Sequence, residues 1–421
     1  MNDLRLSRLP GGAVVLTAAM PHLRSVSVGI WAGAGGRHES ARLSGISHFL
    51  EHMLFKGTRR RTAKEISEAI EGVGGYLNAF TTEDHTCYYA HVGADRLGLA
   101  VDVLGDMVTR SVFDPAEVER ERQVIREEIL SYRDQPSQLV LEKLAAATWP
   151  SHALGRPVTG TPESVARIRR ADLIAHQRRV CAPALVVFTA AGAVAHDEFV
   201  RAVAPVARRL PAAQPARAMP FAGRVRPTIE VHADDTEQAH LALGFRIFGR
   251  QDRRRYALRL MNLVLGENMS SRLFQELRER RGLCYSVQSG SQLLAETGLF
   301  TVQCALDPAN ASRAVRLVLR ECERMSRSAV SAAELRRARD AAIGQFQIGF
   351  EGASNRMTWL GESWLGYGRL ADPSVIEERF REVTAEQIRH VAEAVFRRAR
   401  LAFAVVGPGA DPRQAAEWIG G

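Results

Sequence analysis

Hydrophobic and polar residues follow two kinds of pattern along this chain, and the same order of patterns occurs twice. Partly alternating apolar stretches, typical of strands with one buried face, occupy residues 14–31 and 228–245. Each is followed by a segment with the apolar spacing of a helix, at 47–55 and at 269–277. This repeated order predicts two structurally related halves.

The two halves also match further along the chain. A capping residue opens both 114–120 and 331–337, so a long helix is predicted to begin in each segment. Each half then ends with a helical period and a short buried strand, at 165–178 and 184–189 in the first half and at 376–390 and 401–406 in the second. We therefore predict an α+β fold of two homologous domains from a duplicated unit, each a mostly antiparallel sheet with packed helices.

A proline-rich stretch separates the halves. Five prolines lie between Pro205 and Pro227, without a sustained helical or strand period. We predict a first domain over residues 1–208, a linker over 209–227 and a second domain over 228–421. The length of 421 residues agrees with two domains of about 200 residues each.

Composition narrows the class of protein. Hydrophobic residues make up 46% of the chain and charged residues 24%, which is the mixture of a globular protein. No apolar run reaches the roughly 18 residues that a membrane-spanning helix needs. The first 16 residues contain no secretory signal pattern, so the cytoplasm is the expected location.

The formal charge of +9 raises the question of nucleic-acid binding. Only Lys56, Lys64 and Lys143 are lysines among the 56 basic residues, and the arginines are spread along the whole chain. The one basic cluster, at 253–255, lacks the spaced aromatic residues on which bases stack. We therefore expect no nucleic-acid partner.

The segment 48–52, with the sequence His-Phe-Leu-Glu-His, carries candidate metal chemistry. His48 and His52 are four residues apart and share one face of the predicted helix, where both imidazoles can reach one Zn²⁺ ion. Glu51 lies at the edge of that face and could take a proton from a water held by the ion. The alternative interpretation is a helix with two structural histidines and a solvated glutamate.

The predicted helix at 115–132 contains several glutamates that are candidates for a third metal ligand. Glu121 and Glu128 are seven residues apart and therefore lie two turns along one face. A charged outer surface is the alternative interpretation of this helix. At the matching offsets the second half has Ala338 and Gln345, and its segment 272–276 contains no histidine. Only the first half is therefore predicted to bind a metal.

The motif block 48–58 and the run 119–125 resemble those of the pitrilysin and insulysin peptidases. The resemblance covers nearly the whole chain and is strongest to the β subunit of the mitochondrial processing peptidase and its bacterial single-unit relatives. It implies a zinc-dependent endopeptidase with one Zn²⁺ per chain. In that family the third ligand lies about 76 residues after the second histidine, which implies Glu128, and Glu121 falls on an acidic position that orients the site.

The resemblance also implies substrate contacts. Asn78, Ala79 and Phe80 fall on an edge strand that pairs with the backbone of an unstructured peptide. Arg278 and Tyr285 match an arginine and tyrosine pair that contacts the substrate and polarises the scissile carbonyl. The alternatives are an ordinary strand with a buried asparagine, and a surface arginine with a core tyrosine.

The family architecture implies how chains assemble. Two-domain chains pair into a chamber in which the second domain of one chain faces the zinc domain of the other, so we expect a homodimer. The alternatives are a heterodimer with a silent homologue and a non-catalytic subunit of a processing-peptidase-like complex. Short unstructured peptides are the expected substrates.

Overall fold

The structure, a computed structural model, describes residues 3–221, 223 and 226–420. The chain divides into two compact units, and each contains one β-sheet. The first unit comprises Met1–Leu130, Arg156–Met219 and Ile348–Leu370, and the second comprises Ser131–Gly155, Pro220–Gln347 and Ala371–Gly421.

The described strands form one sheet of six and one of five. The first sheet contains β1 (Leu4–Arg8), β2 (Val14–Ala19), β3 (Ser25–Ala32), β4 (Tyr76–Thr81), β5 (Thr86–Gly93) and β6 (Val186–Gly192). The second contains β7 (Thr228–Ala233), β8 (Ala239–Phe248), β9 (Cys284–Leu293), β10 (Thr297–Leu306) and β11 (Leu401–Gly407).

The order of strands shows that the two sheets repeat one topology. The first sheet has the order β1-β2-β6-β3-β5-β4 and the second has β7-β11-β8-β10-β9. Without β1, each strand of the first sheet has a counterpart at the same place in the second. The pairs β2–β6 and β7–β11 are parallel, and every other neighbouring pair is antiparallel. The predicted α+β fold with mostly antiparallel sheets is confirmed.

Helices surround both sheets. In chain order they are α1 (Ile46–Leu54), α2 (Ala63–Glu71), α3 (Leu97–Arg110), α4 (Pro115–Arg133), α5 (Pro136–Thr148), α6 (Pro162–Arg167), α7 (Arg170–Val180), α8 (His196–Ala207), α9 (Arg255–Asn262), α10 (Ala311–Arg327), α11 (Ala332–Glu351), α12 (Ala353–Tyr367), α13 (Pro373–Glu382), α14 (Ala385–Val395) and α15 (Pro412–Gly420). Among the described helices, none is both long and apolar enough to cross a membrane.

Two helices belong to the unit built mainly from the other half of the sequence. Helix α5 packs on the second sheet, where Leu144 joins a cluster with Ala402 and Ala404. Helix α12 packs on the first sheet, where Met357 contacts the cluster around Trp31. The contiguous domains predicted at 1–208 and 228–421 do not include this exchange. Strands β6 and β11 carry mostly apolar residues on both faces, and these two helices cover one face of each.

Further predictions differ in detail from the structure. The helical periods at 165–178 and 376–390 are each divided, into α6 and α7 and into α13 and α14, because Ile168 and Val383 adopt extended backbone angles. The helix predicted at 269–277 overlaps a π-helical segment, Phe274–Glu279. The described residues of the predicted linker at 209–227 form no helix or strand, and residues 222, 224 and 225 lie outside the described residues.

Candidate metal centre

Helix α1 carries the histidine motif, and its start is fixed by a remote carboxylate. The N-cap residue Gly45 has a φ of 89° and has no side chain with which to cap the helix. Glu39 takes over this function: its two carboxylate oxygens accept from the backbone N–H of Gly45 at 2.7 Å and of Ser47 at 2.8 Å. Burial raises the pKa of Glu39 to about 7, although both amide bonds lower it.

Close backbone packing holds the same end of α1. A Cβ atom on Gly45 would lie 2.5 Å from the carbonyl oxygen of Thr159 and 2.9 Å from the Cα atom of Gly160. The hydroxyl of Ser164 donates to the carbonyl oxygen of Ser44 across 2.8 Å. The loop before α6 therefore anchors the helix that carries the motif, and a side chain at position 45 would disrupt this contact.

Three side chains converge beside α1 and could hold a metal ion. The Oε2 atom of Glu128 lies 3.6 Å from Nε2 of His48 and 3.5 Å from Nε2 of His52. In the described part of the chain these residues are the one group of three potential ligands, with donor atoms within 4.8 Å of one another. Ligands of a tetrahedral zinc ion at ~2.0–2.1 Å are ~3.3 Å apart, so this spacing fits the ion.

The protonation state of His48 also fits a metal. Burial, and secondarily the neighbouring His52, lowers the pKa of His48 to about 3. His48 is therefore neutral, which is the form that binds a metal. Its Nδ1 atom is buried and finds no hydrogen-bond partner among the described residues, so packing with the surrounding side chains orients this ring. The edge of His52 meets it with ring centroids 4.5 Å apart.

His52 is oriented by Glu121. The Nδ1–H group of His52 donates to Oε1 of Glu121 across 2.8 Å, which leaves the lone pair of Nε2 directed towards Glu128. The ammonium group of Lys56 lies 2.7 Å from the other oxygen of Glu121. Burial raises the pKa of Glu121, but hydrogen bonds from His52 and Lys56 outweigh it and hold this pKa below its usual value. Lys56 was missed by sequence reasoning, although it follows His52 by one helical turn.

Glu51 lies beside this group without belonging to it. Its Oε2 atom accepts a hydrogen bond from the hydroxyl of Thr81 at 2.5 Å. Burial raises the pKa of Glu51, and the hydrogen bond from Thr81 lowers it in part. Sequence reasoning missed Thr81, which stands at the end of the segment predicted to bind substrate.

The predicted edge strand is confirmed as β4, the last strand of the first sheet. Asn78 is exposed, contrary to the alternative of a buried asparagine. Its carboxamide oxygen accepts from the backbone N–H of Ala79 at 2.8 Å, and its amide donates to the hydroxyl of Tyr76. Phe80 instead packs against Trp31, with ring centroids 5.7 Å apart. The structure thus places polar Asn78 and apolar Phe80 in different surroundings on one strand.

The structure brings Arg278 and Tyr285 together in the second unit. The guanidinium carbon of Arg278 lies 4.7 Å from the ring centroid of Tyr285 and 4.8 Å from that of Phe274. Tyr285 is 79% exposed, which excludes the alternative of a core tyrosine. The pair forms a cation–π stack, and Nε of Arg278 also lies 3.7 Å from a carboxylate oxygen of Glu279.

The second half has an ion pair where the first half has its motif. Arg272, which corresponds to His48 in the repeat, donates two hydrogen bonds to the carboxylate of Glu334 at 2.8 and 3.0 Å. These bonds are the main reason why the pKa of Glu334 falls to about 2. A permanently charged guanidinium repels a cation, so this position is suited to a structural contact and not to a metal.

Comparison with known protein families gives two adjoining matches. Residues 14–162 match the family described as Insulinase (Peptidase family M16). Residues 167–342 match the Peptidase M16 inactive domain. The first match contains the three candidate ligands and Glu51, and the second contains Arg278 and Tyr285.

Curated relatives match over nearly the full chain. An uncharacterized zinc protease of Mycobacterium tuberculosis is 39% identical over 413 residues, which cover 97% of this chain and 94% of the relative. The uncharacterized zinc protease YmxG of Bacillus subtilis is 34% identical over 403 residues, 94% of this chain and 96% of the relative. The particular closeness to the mitochondrial processing peptidase stays a prediction.

Solved structures share the fold. A Pseudomonas fluorescens structure described as a peptidase M16 inactive domain superimposes with a TM-score of 0.91 at 19% identity, covering 97% of this chain and 98% of that chain. A protease from Helicobacter pylori gives 0.89 at 18% identity and covers 96% and 99%. The chain belongs to the insulinase family of peptidases, peptidase family M16.

Proposed function

We propose that this protein is a zinc-dependent endopeptidase that hydrolyses short unstructured peptides and holds one Zn²⁺ per chain. The observation that carries the proposal is the convergence of His48 Nε2, His52 Nε2 and Glu128 Oε2 beside Glu51, which is not part of that group. Three protein ligands leave one coordination position for water or substrate, which is the arrangement of a catalytic zinc site.

The chemistry divides between the ion and the protein. When bound, Zn²⁺ supplies a Lewis acid that lowers the pKa of a coordinated water towards ~7. Glu51 accepts a proton from the water that attacks the peptide carbonyl and delivers this proton to the departing amine. Glu121 keeps the ring of His52 in the orientation that a ligand requires, and it is fixed in turn by Lys56.

Substrate selection is proposed to depend on the peptide backbone. An extended peptide adds to the free edge of β4 at Asn78 and Ala79, which requires an unfolded segment and depends little on side-chain identity. Phe80 packs against Trp31 on the face of that strand opposite to Leu77 and Ala79. Arg278 and Tyr285 bind the substrate and donate hydrogen bonds to the developing oxyanion.

We further propose a homodimer that encloses a chamber, in which Arg278 and Tyr285 act on the zinc centre of the partner chain. A heterodimer with a silent homologue is the alternative arrangement. Mixing Glu51→Gln chains with Tyr285→Phe chains tests the proposal, because action in trans restores one intact site in each mixed dimer. If mixing gives only the average of the two mutant activities, the sites act in cis. The cytoplasm is the proposed location, with neither nucleic acid nor membrane as a partner.

The direct test is cleavage of a mixed library of unstructured peptides by the zinc-loaded protein, with products identified by mass spectrometry. The Glu51→Gln variant is the matched control, since the change removes a carboxylate and keeps the side-chain shape. Cleavage by the wild type alone supports the proposal and assigns the base. Equal cleavage by both proteins refutes the role of Glu51. No cleavage by either, with zinc bound, favours a non-catalytic or partner-dependent subunit.

A further inference from the structure

We propose that Thr81 is a positioning residue that connects the substrate-binding strand β4 to the general base Glu51. The proposal rests on the proposed function, since it assigns a role in the same reaction. It goes further because it explains how binding of a peptide at the sheet edge can influence the orientation of the base.

The connection is a single short contact. The hydroxyl of Thr81 donates to Oε2 of Glu51 across 2.5 Å, and Thr81 is the last residue of β4. Ala79 and Leu77, two and four residues earlier, pack against the core of the first unit, so Thr81 shares their face of the strand. One carboxylate oxygen of Glu51 is thereby held, and the other remains available for a proton.

The hydroxyl of Thr81 lies against a threonine of the neighbouring strand that does not take its hydrogen. Thr86 stands opposite Thr81 in the β4–β5 ladder, and their hydroxyl oxygens are 3.3 Å apart. The hydroxyl of Thr86 donates to the carbonyl oxygen of Ala34 at 3.3 Å. Because the carboxylate of Glu51 can only accept and is the nearer acceptor, the single hydrogen of the Thr81 hydroxyl goes to Glu51, and the 3.3 Å contact with Thr86 is not a second hydrogen bond.

The turn after Thr81 is fastened to the loop before α1. The backbone N–H of Thr82 donates to the carbonyl oxygen of His85 at 2.8 Å, and the N–H of Gly36 donates to the carbonyl oxygen of Thr82 at 3.0 Å. The buried guanidinium of Arg37 pairs with Asp84 at 2.9 Å. The turn that follows β4 is therefore anchored, while the strand itself forms the free edge of the sheet.

This geometry has two consequences for catalysis. The hydrogen bond restrains Glu51 from turning towards the ligand group formed with His48, His52 and Glu128, where it would occupy the position needed by water. A peptide that pairs with β4 also restrains the strand that carries Thr81, so the base becomes better ordered when substrate is bound. Loss of the hydroxyl should therefore reduce kcat more than it changes KM.

The experiment compares Thr81→Val, which removes the hydroxyl and keeps the shape, with Thr81→Ser, which retains the hydroxyl. We expect kcat of Thr81→Val to fall roughly 10–100-fold, the range for a lost hydrogen bond to a charged group. KM and the zinc dissociation constant, measured by chelator competition, should stay within about twofold, and Thr81→Ser should recover most of kcat. Thr301→Val, a half-buried change in β10 of the other sheet, is the matched control.

Several outcomes would overturn the inference. It is wrong if Thr81→Val retains kcat while Glu51→Gln loses it, or if Thr81→Ser is as impaired as Thr81→Val. A crystal structure of zinc-loaded Thr81→Val gives a readout that needs no activity: the Glu51 carboxylate should leave its wild-type position, and an unchanged carboxylate refutes the inference. If Thr81→Val does not fold, Thr81→Ala serves the same comparison. Failure of the proposed function appears differently, as a wild-type protein that binds zinc but cleaves no peptide.

Discussion

His52 and Glu121 are joined by a hydrogen bond of 2.8 Å from the ring Nδ1–H to the carboxylate Oε1. The bond fixes which ring nitrogen carries the hydrogen, so the lone pair of Nε2 points to Glu128, 3.5 Å away. Glu121 is almost fully buried and also pairs with Lys56. The orientation of one candidate ligand therefore depends on a residue 69 positions later in the sequence.

Glu121→Gln should weaken zinc binding roughly 10–100-fold, the usual effect of removing a partner that orients a metal ligand. The amide can still accept from His52, but it lacks the charge that strengthens this bond and that pairs with Lys56. Chelator competition measures the dissociation constant. Glu117→Gln, on the same helix, is the control, since Glu117 pairs with the exposed Arg120. An unchanged zinc affinity in Glu121→Gln would contradict the assigned role.

Glu128→Gln should abolish stoichiometric zinc binding, whereas Glu127→Gln should retain it. Glu128 contributes the charged oxygen of the candidate ligand group, and Glu127 is exposed one residue earlier. Removal of one of three protein ligands leaves too few donors for a stable tetrahedral site. Metal content after dialysis, measured by atomic emission, distinguishes the two variants. Equal loss of zinc in both would show that net charge, and not ligation, holds the ion.

Glu39→Gln should change how stability depends on pH. The pKa of Glu39 is about 7 in the folded protein against 4.5 in the unfolded chain. Because the folded value is higher, the wild type loses stability relative to the variant as the pH rises from 4.5 to 7. The difference in unfolding free energy between the wild type and Glu39→Gln should change by about 3 kcal/mol between these two pH values and stay constant at higher pH.

Denaturant unfolding of the metal-free proteins at several pH values measures the effect of Glu39→Gln. Metal must be absent because its binding is itself pH-dependent. Replacing one carboxylate oxygen by an amide also removes a hydrogen-bond acceptor, which changes the unfolding free energy by the same amount at every pH. Only the pH dependence of the unfolding free energy therefore reports the pKa of Glu39. Parallel curves for wild type and Glu39→Gln would show that the pKa of Glu39 is not raised.

Arg272→Met should destabilise the protein by roughly 1–3 kcal/mol, since it removes the two hydrogen bonds that Arg272 donates to the carboxylate of Glu334. Zinc content should remain unchanged, because this pair lies in the half without a metal group. Arg280→Met is the control: the arginine side chain is 70% exposed, and its pair with Glu276 is expected to contribute little. Equal unfolding midpoints for Arg272→Met and wild type would show that the Arg272–Glu334 pair does not stabilise the fold.

Much of the fold followed from local patterns. Alternation of apolar residues identified the strands around β2, β3 and β8, and capping residues identified the starts of α4 and α11, because these signals depend on neighbours in sequence. The exchange of α5 and α12 had no such signal. It depends on which apolar sheet face remains uncovered, and only the assembled sheets determine that.

The sequence by itself determined the chemistry of the site: two histidines four residues apart, a glutamate between them, and a second helix with glutamates two turns apart. The periodicity of a helix alone brings such groups onto one face. Only the tertiary structure decided the contacts of Lys56, Thr81 and Glu39. Each of these side chains contacts the site from another element or another turn, and sequence spacing does not specify distances between elements that pack against each other.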